Sequence, residues 1–295
     1  MKRIALLPEG SVSHEAVVHL FGNEPVEFVH HKLISDVFLS TVQGNSDYSV
    51  IPIENTIEGS VSLHMDWLVN EVDIPMQLEW VYPSIQNLIG NKEEFMNEND
   101  NLDLSKITKI LSHPVATAQC QQFIRNHAPQ AILENVGSTS EAVEIVKTHT
   151  GQGWAAIGTL LGAKTHGLDV IATRITDHDN NFTRFVLIGA DSIELQRPST
   201  QTKTSITVTL PEDYPGALHQ VLSAFAWRKL NLSRIESRPT KKRLGSYYFY
   251  IDILEEMNKL LLQASIAEIE AVGCQVRILG CYPIYSYEKQ NSEVQ

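Results

Sequence analysis

The segment Asp179-Asn180-Asn181-Phe182-Thr183-Arg184-Phe185 runs from a polar loop into the apolar Val186-Leu187-Ile188. Thr183 offers a hydroxyl that both donates and accepts, and Arg184 a planar guanidinium fork matched to a carboxylate. Phe182 and Phe185 would shield them from water. The plainer alternative is an edge strand carrying a solvated arginine, because successive side chains of a strand face opposite sides.

Four further polar stretches fall where short apolar runs give way to helical spacing: Pro8-Glu9-Gly10-Ser11-Val12-Ser13, Pro52-Ile53-Glu54-Asn55-Thr56-Ile57-Glu58-Gly59-Ser60, Ser112-His113-Pro114 and Gly137-Ser138-Thr139-Ser140. A helix N-terminus presents unpaired N–H groups and the positive end of a dipole, so it can receive a carboxylate without any net basic charge. Ser11, Ser138 and Thr139 are candidates for that role, and simple helix capping is the structural alternative for each. Their convergence in one chain points to an anionic ligand.

With 23 Lys and Arg against 35 Asp and Glu, the net charge of −12 argues against a nucleic-acid or membrane-surface binder, which needs clustered cations. Three widely spaced cysteines, Cys120, Cys274 and Cys281, form neither a zinc-site pattern nor a disulfide scaffold, so a reducing, cytoplasmic setting is expected. Asp177-His178-Asp179 and His30-His31 lack the partners of a metal centre, and Gly151-Gln152-Gly153 lacks the third glycine of a dinucleotide loop. The first apolar run ends at Pro8-Glu9-Gly10, too early for a signal peptide. No apolar stretch approaches the roughly 20 residues that span a bilayer.

Elements to position these residues follow from the periodicity. Strands are expected at 3–7, 26–29 and 48–53, with Val12, Ala16, Val17 and Leu20, then Leu33, Val37, Phe38 and Thr41, marking the helices between them. A helix should follow Gly59 and stop near Pro75. A second α/β set has strands at 107–111, 131–136 and 154–157, helices near Pro114 and Ser138, and a solvated excursion at 91–106, and a further apolar strand follows at 182–189. Alternating strands and helices predict an α/β sheet whose ligand lies beyond the strand ends. The polar run Arg197–Lys203 reads as a linker. Beyond it a strand at 204–210, a helix at 216–228, strands at 232–238 and 246–253, a helix at 259–272 and a strand at 275–281 make a ferredoxin-like βαββαβ unit.

Taken together these stretches resemble prephenate dehydratase. The resemblance is carried by Pro52–Val61, by Ser112-His113-Pro114 leading to Ala118-Gln119-Cys120, by Ala155-Ala156-Ile157-Gly158, and by Asn181 with Thr183-Arg184-Phe185. It continues through Gly216-Ala217-Leu218-His219 and Glu236-Ser237-Arg238-Pro239, which look like the paired phenylalanine-binding motifs of an ACT domain, and covers about residues 3 to 282. Leu7 stands where the family usually has Gly, and Asn87 where it commonly has His.

The resemblance implies a two-lobed, periplasmic-binding-protein-like (type II) catalytic unit at 1–190, its second lobe near 78–165. A linker at 191–202, an ACT domain at 203–282 and a polar tail at 283–295 would complete the chain. It implies conversion of prephenate to phenylpyruvate with no metal or organic cofactor, Thr183 being catalytic. Asn55, Arg184, Glu54, Phe185, Ser11, Ser138 and Thr139 are the expected substrate-binding residues. Phenylalanine is expected at Gly216, Ala217, Leu218, His219, Asn231, Leu232, Glu236, Ser237, Arg238 and Pro239 of paired ACT domains, hence a homodimer or homotetramer. With the first strand beginning by residue 3, no fused chorismate mutase is expected. Two rivals remain at this point: arogenate dehydratase, and a noncatalytic small-molecule receptor.

Overall fold

The computed structural model describes residues 1–22, 24–212, 214–241 and 247–287. In chain order these form β1 (Lys2–Leu6), α1 (Val12–Phe21), β2 (Val26–His30), α2 (Ile34–Val42), β3 (Tyr48–Asn55), β4 (Gly59–Ser60), α3 (Ser62–Asp66) running into a π-helical turn (Trp67–Glu71), β5 (Met76–Pro83) and β6 (Asn87–Gly90). Next come 3-10 turns at Lys92–Phe95 and Leu104–Lys106, β7 (Lys109–Ser112), α4 (Pro114–Ala118), α5 (Gln121–His127), β8 (Ile132–Asn135), α6 (Thr139–Thr148), β9 (Trp154–Gly158), α7 (Leu160–His166), β10 (Asp169–Ala172) and β11 (Phe182–Gly189). The chain closes with β12 (Gln201–Thr209), α8 (Ala217–Ala226), β13 (Leu232–Pro239), β14 (Tyr247–Ile253), α9 (Leu260–Ala271) and β15 (Gln275–Tyr285). The chain divides into two compact units, Met1–Val61 with Tyr82–Phe185, and Ser62–Val81 with Val186–Gln295.

The first unit has two lobes. In one, β1 pairs in parallel with β2 and with β3, the crossovers supplied by α1 and α2, and strand order runs β2-β1-β3-β11. Ile4, Ala5, Leu6, Val50, Ile51 and Ile53 are completely buried there, so these strands read as continuous apolar runs covered on both faces. In the other lobe the order is β10-β6-β9-β7-β8, with β7 parallel to β8 and β9, and β6 antiparallel to β9 and β10. Leu88, Ile110, Ala155 and Ile157 pack on one face of this sheet and Ile89, Leu111, Val143 and Ala156 on the other. The 91–106 segment, expected as a solvated excursion, exposes most of its charged residues and buries Phe95 in that first cluster.

In the second unit the expected βαββαβ order is β12-α8-β13-β14-α9-β15, with sheet order β13-β14-β12-β15 extended by β5. One sheet face carries Ile206, Val208, Phe249, Ile251 and Ile253 under Val221, Phe225, Leu262, Ile266 and Ile269 of α8 and α9. β15 continues past the expected end at 281 because Ile284 and Tyr285 pair in parallel with Glu79 and Trp80 of β5. Residues 283–285, read from sequence as the start of a polar tail, are therefore strand, and Gln201 and Thr202 of the expected linker pair with Ile284 and Pro283. The rest of that tail from 288, and Ser246 at the expected start of β14, lie outside the described residues.

Candidate functional site

In the first unit, β11 begins at Phe182 and alternates in burial, Thr183 and Phe185 buried and Phe182 and Arg184 half-buried. Strand geometry puts Thr183 and Phe185 on one face and Arg184 on the other. On the Thr183 face, Asn55 at the end of β3 donates from Nδ2 to Thr183 Oγ1 at 3.0 Å and to Asn181 Oδ1 at 2.8 Å. The Asn55 amide is oriented by its other end, since Oδ1 accepts the backbone N–H of Ile57 at 2.9 Å and of Glu58 at 3.1 Å. Asn181 in turn donates to the Ser84 carbonyl at 3.2 Å and to Gln119 Oε1 at 2.8 Å. The Ser84 hydroxyl lies 2.6 Å from that of Thr183.

Asn181, Thr183, Ser84 and Gln119 are all buried. Each buried polar atom left unpaired would cost about 1–3 kcal/mol, so a closed amide–hydroxyl network is what a dry polar centre requires.

Arg184 and Glu54 form an ion pair of 3.4 Å, on the alternate strand positions from Thr183 and Asn55. Arg184 therefore stands on the strand face opposite Thr183, the alternating arrangement that the sequence left open.

Ser11 caps α1 by accepting the His14 N–H at 3.3 Å, and Ser138 caps α6 by accepting that of Glu141 at 3.0 Å, with Thr139 as first helical residue. The loop before α1 is held to the second lobe: Thr159 donates to the Gly10 carbonyl at 2.7 Å and Ser140 to that of Glu9. Gly10 has φ +76, and a Cβ there would lie 2.8 Å from Gly162 Cα, so only glycine allows this approach. The Gly10 N–H donates to His14 Nδ1 at 3.0 Å. Burial first, and then the neighbouring His30, lower the His14 pKa to about 4, which keeps this imidazole neutral and an acceptor.

Of the other sequence motifs, Ser112 donates to the Ile157 carbonyl at 2.9 Å and ties β7 to β9. His113 caps α4 through Val115 N–H at 3.3 Å, and burial lowers its pKa. Asn87 donates to the Gly158 carbonyl at 3.2 Å and accepts from Arg174 N–H at 3.1 Å, which makes it a strand connector. Both carboxylate oxygens of Asp177 accept the Gln122 N–H at 3.1 Å near the start of α5. Cys120 is pushed up to about 12 by burial and by Asp177, so it stays a thiol and not a nucleophile. No group of three or more His, Cys, Asp or Glu able to hold a metal ion occurs among the described residues.

In the second unit, Gly216 caps α8 with φ +99, followed by buried Ala217, half-buried Leu218 and exposed His219. A Cβ on Gly216 would meet no described heavy atom within 4 Å, so its φ, and not crowding within the chain, is what asks for glycine. The Asn231 carbonyl accepts Leu254 N–H at 2.9 Å, and Leu232 packs against the apolar cluster. Along the sheet-edge strand β13, Ser237 and Pro239 are exposed. Glu236 pairs with Arg234 at 2.6 Å and Arg238 at 2.8 Å, and Arg238 is anchored to Asp66 at 2.6 Å and to the Ser62 carbonyl at 2.9 Å. Burial alone would lower the Arg238 pKa, yet its hydrogen bonds to Glu236 and Asp66 raise it, so it remains a fixed cation.

Sequence reasoning placed Thr183 and Asn55 in the site but did not select Asn181, Gln119 or Ser84. Asn181 and Gln119 stand inside the quoted motifs and were legible there. Ser84, between Pro83 and Ile85, has no local signal.

Fold and site define a two-lobed α/β enzyme unit joined to a ferredoxin-like regulatory unit. The prephenate dehydratase family matches residues 4–193, and the ACT domain family residues 204–271. The chain is 39% identical to a prephenate dehydratase of Bacillus subtilis (97% of this chain, 99% of the relative). It is 38% identical to one of Methanocaldococcus jannaschii (96% and 98%). A solved prephenate dehydratase from Arthrobacter aurescens, in complex with L-Phe, superposes with TM-score 0.82 at 30% identity, covering 95% of this chain and 89% of that one. The chain belongs to the prephenate dehydratase family.

Proposed function

We propose that the Thr183 centre carries out the decarboxylating dehydration of prephenate to phenylpyruvate and that phenylalanine, held by the ACT domain, inhibits it. In the reaction the bond from the ring to its carboxylate breaks and its electron pair moves through the ring. The carbon–oxygen bond opposite then breaks, and one proton joins the departing oxygen. Prephenate and a proton thus give phenylpyruvate, carbon dioxide and water. Aromatisation drives the step, so the protein needs to orient the ring and stabilise the leaving oxygen.

The observation that carries this reading is the Thr183 hydroxyl fixed in a buried network by Asn55 and Ser84. Asn55 donates to its oxygen, and we assign the hydroxyl proton to a hydrogen bond with the leaving group. Phe185 keeps the strand face apolar beneath it. The helix ends at Ser11 and at Ser138-Thr139, with Arg184 oriented by its partner Glu54, are the groups we assign to the two carboxylates. Leaving-group stabilisation by a positioned hydrogen-bond donor is typically worth about two to four orders of magnitude in rate.

For the effector, the L-Phe complex of the Arthrobacter aurescens relative supports phenylalanine as the ligand, and the motif resemblance is what leads us to assign it to the region of Gly216–His219, Asn231-Leu232 and Glu236–Pro239. Arg238, locked to Asp66, would shape that region and not grip the ligand. Exposed Ile235 and Trp227 favour pairing with a second copy as a homodimer or homotetramer. A cytoplasmic location fits the free cysteines, and no helix among the described residues is long and apolar enough to cross a membrane. A single assay tests the whole reading: turnover of prephenate and of arogenate by the purified chain, with and without phenylalanine. Absence of prephenate turnover would overturn it.

A further inference from the structure

Thr183 Oγ1 has two lone pairs and one proton. Asn55 occupies one lone pair at 3.0 Å. The direction of that bond is set at both ends of the network. Backbone donors at Ile57 and Glu58 claim the Asn55 carbonyl oxygen, while a backbone acceptor at Ser84 claims an Asn181 amide proton. Every amide between them is thereby oriented, and Asn55 can only donate to Thr183.

The remaining question is the 2.6 Å contact between Ser84 Oγ and Thr183 Oγ1, in which either hydroxyl can donate. Ser84 is buried, and its backbone is pinned twice to Asn181, its N–H donating to the Asn181 carbonyl at 2.8 Å and its carbonyl accepting from Nδ2 at 3.2 Å. Only its hydroxyl rotor is free to choose. If Thr183 donated to Ser84, it would turn a lone pair toward the departing oxygen as negative charge gathers there, which is repulsive. If Ser84 donates, both Thr183 lone pairs are filled, and its proton has no destination but the substrate. The chain Ser84 to Thr183 to leaving oxygen then strengthens link by link, as each donor polarises the next.

We infer that Ser84 is the positioning residue that turns the Thr183 hydroxyl into a dedicated donor to the leaving oxygen, an inference that rests on the proposed dehydration at Thr183. Ser84 keeps its own proton throughout. It acts through orientation and polarisation and touches no reacting atom.

The test is steady-state kinetics of the full chain on prephenate for wild type, Ser84→Ala, Ser84→Thr, Thr183→Ala and the Ser84→Ala/Thr183→Ala pair. Ser84→Ala is expected to lower kcat by about tenfold to a hundredfold with KM little changed, the lower range for a hydrogen bond that assists a proton donor. Ser84→Thr, which restores the hydroxyl, is expected to recover most of it. The double variant is expected to be no slower than Thr183→Ala alone, because the effect of Ser84 passes through Thr183. Should Ser84→Ala fail to fold, Ser84→Cys keeps the volume with a weak donor and is expected to show the same loss. A Ser84→Ala or Ser84→Cys enzyme with wild-type kcat, or losses that multiply in the double variant, would overturn the role of Ser84 while leaving the activity standing. A wild type inert on prephenate would overturn the reading of Thr183 and this inference together.

Discussion

The polar centre around Thr183 and the polar face of the ACT sheet solve the same burial problem with opposite materials. Around Thr183 the partners are neutral: Asn55, Asn181, Gln119 and Ser84. On the ACT sheet they are ions. Lys203 lies 2.6 Å from Glu79 and 4.0 Å from Asp252, both carboxylates buried, with Ser205 bridging Asp252 and Tyr282 and with Arg238 tying Glu236 to Asp66. Neutral groups impose direction without adding a strong field of their own. Buried ions impose a single arrangement, because any other leaves a charge unpaired. On the proposed reading one network orients a proton, and the other holds strands in register.

The harshest way to break the comparison is to cut the chain after residue 199. That removes β12 and β15, and β15 is the partner of Glu79 and Trp80 in β5. Leu78 and Trp80, now buried, would be exposed at a cost of about 1.5–3 kcal/mol for each large apolar side chain. The expected product is aggregated or poorly packed on size exclusion and near-UV dichroism; a monodisperse, active fragment would show that β5 needs no ACT sheet.

Less drastic is Lys203→Met, which leaves Glu79 and Asp252 without their cation. Breaking a buried pair from one side costs about 3–5 kcal/mol. Urea denaturation should show it as a lower midpoint with prephenate turnover retained below the transition, and an unchanged midpoint would mean the pair is not the anchor.

At the neutral centre, Thr183→Ala is expected to do the reverse. It should lower the stability by only about 1–3 kcal/mol, because Asn55 and Ser84 each lose a partner, and lower kcat by about two orders of magnitude or more, whereas Thr183→Ser retains much of the rate. Equal activity of a folded Thr183→Ala enzyme would remove Thr183 from the mechanism.

The contrast also predicts where pH acts. Burial pushes the Asp66 carboxyl up, but hydrogen bonds and charge from Lys241 and Arg238 outweigh it and hold the group below its ordinary 3.8. A depressed carboxyl contributes stability that is complete above 3.8 and is lost as pH falls through the folded value. Denaturation midpoints of wild type and Asp66→Asn should therefore differ at neutral pH and converge in acid below that value; a gap that persists there would contradict the ion-pair account.

The smallest effect belongs to Gly216→Ala. With φ +99 and open space around a Cβ, the variant meets backbone strain only, about 1 kcal/mol. Spent on the arrangement that receives phenylalanine, this shifts the inhibition curve by about fivefold to tenfold without changing uninhibited turnover. Superimposable phenylalanine titrations of wild type and variant would exclude Gly216 from the effector site.

Local pattern carried much of this molecule. The apolar run within 182–189, those at β1 and β3, and the strand–helix order from 204 to 281 are all nearest-neighbour properties, and they are where the sequence reading and the structure coincide. β5 was not read as a strand because Glu79 looks like a surface charge until Lys203, 124 residues away, is placed against it. β6, α7 and β10 are segments of only 4 to 7 residues, too short for periodicity to stand out.

The identity of the hydroxyl at the centre, its Arg184 and Phe185 neighbours and the glycine at 216 were determined by the sequence alone, since residue type and spacing are written there. What decided which groups the Thr183 hydroxyl meets was tertiary structure. Asn55 reaches Thr183 across 128 positions and Ser84 across 99, and a hydrogen bond's polarity depends on which backbone groups stand at the two ends of a network. That information exists only once the chain has closed on itself.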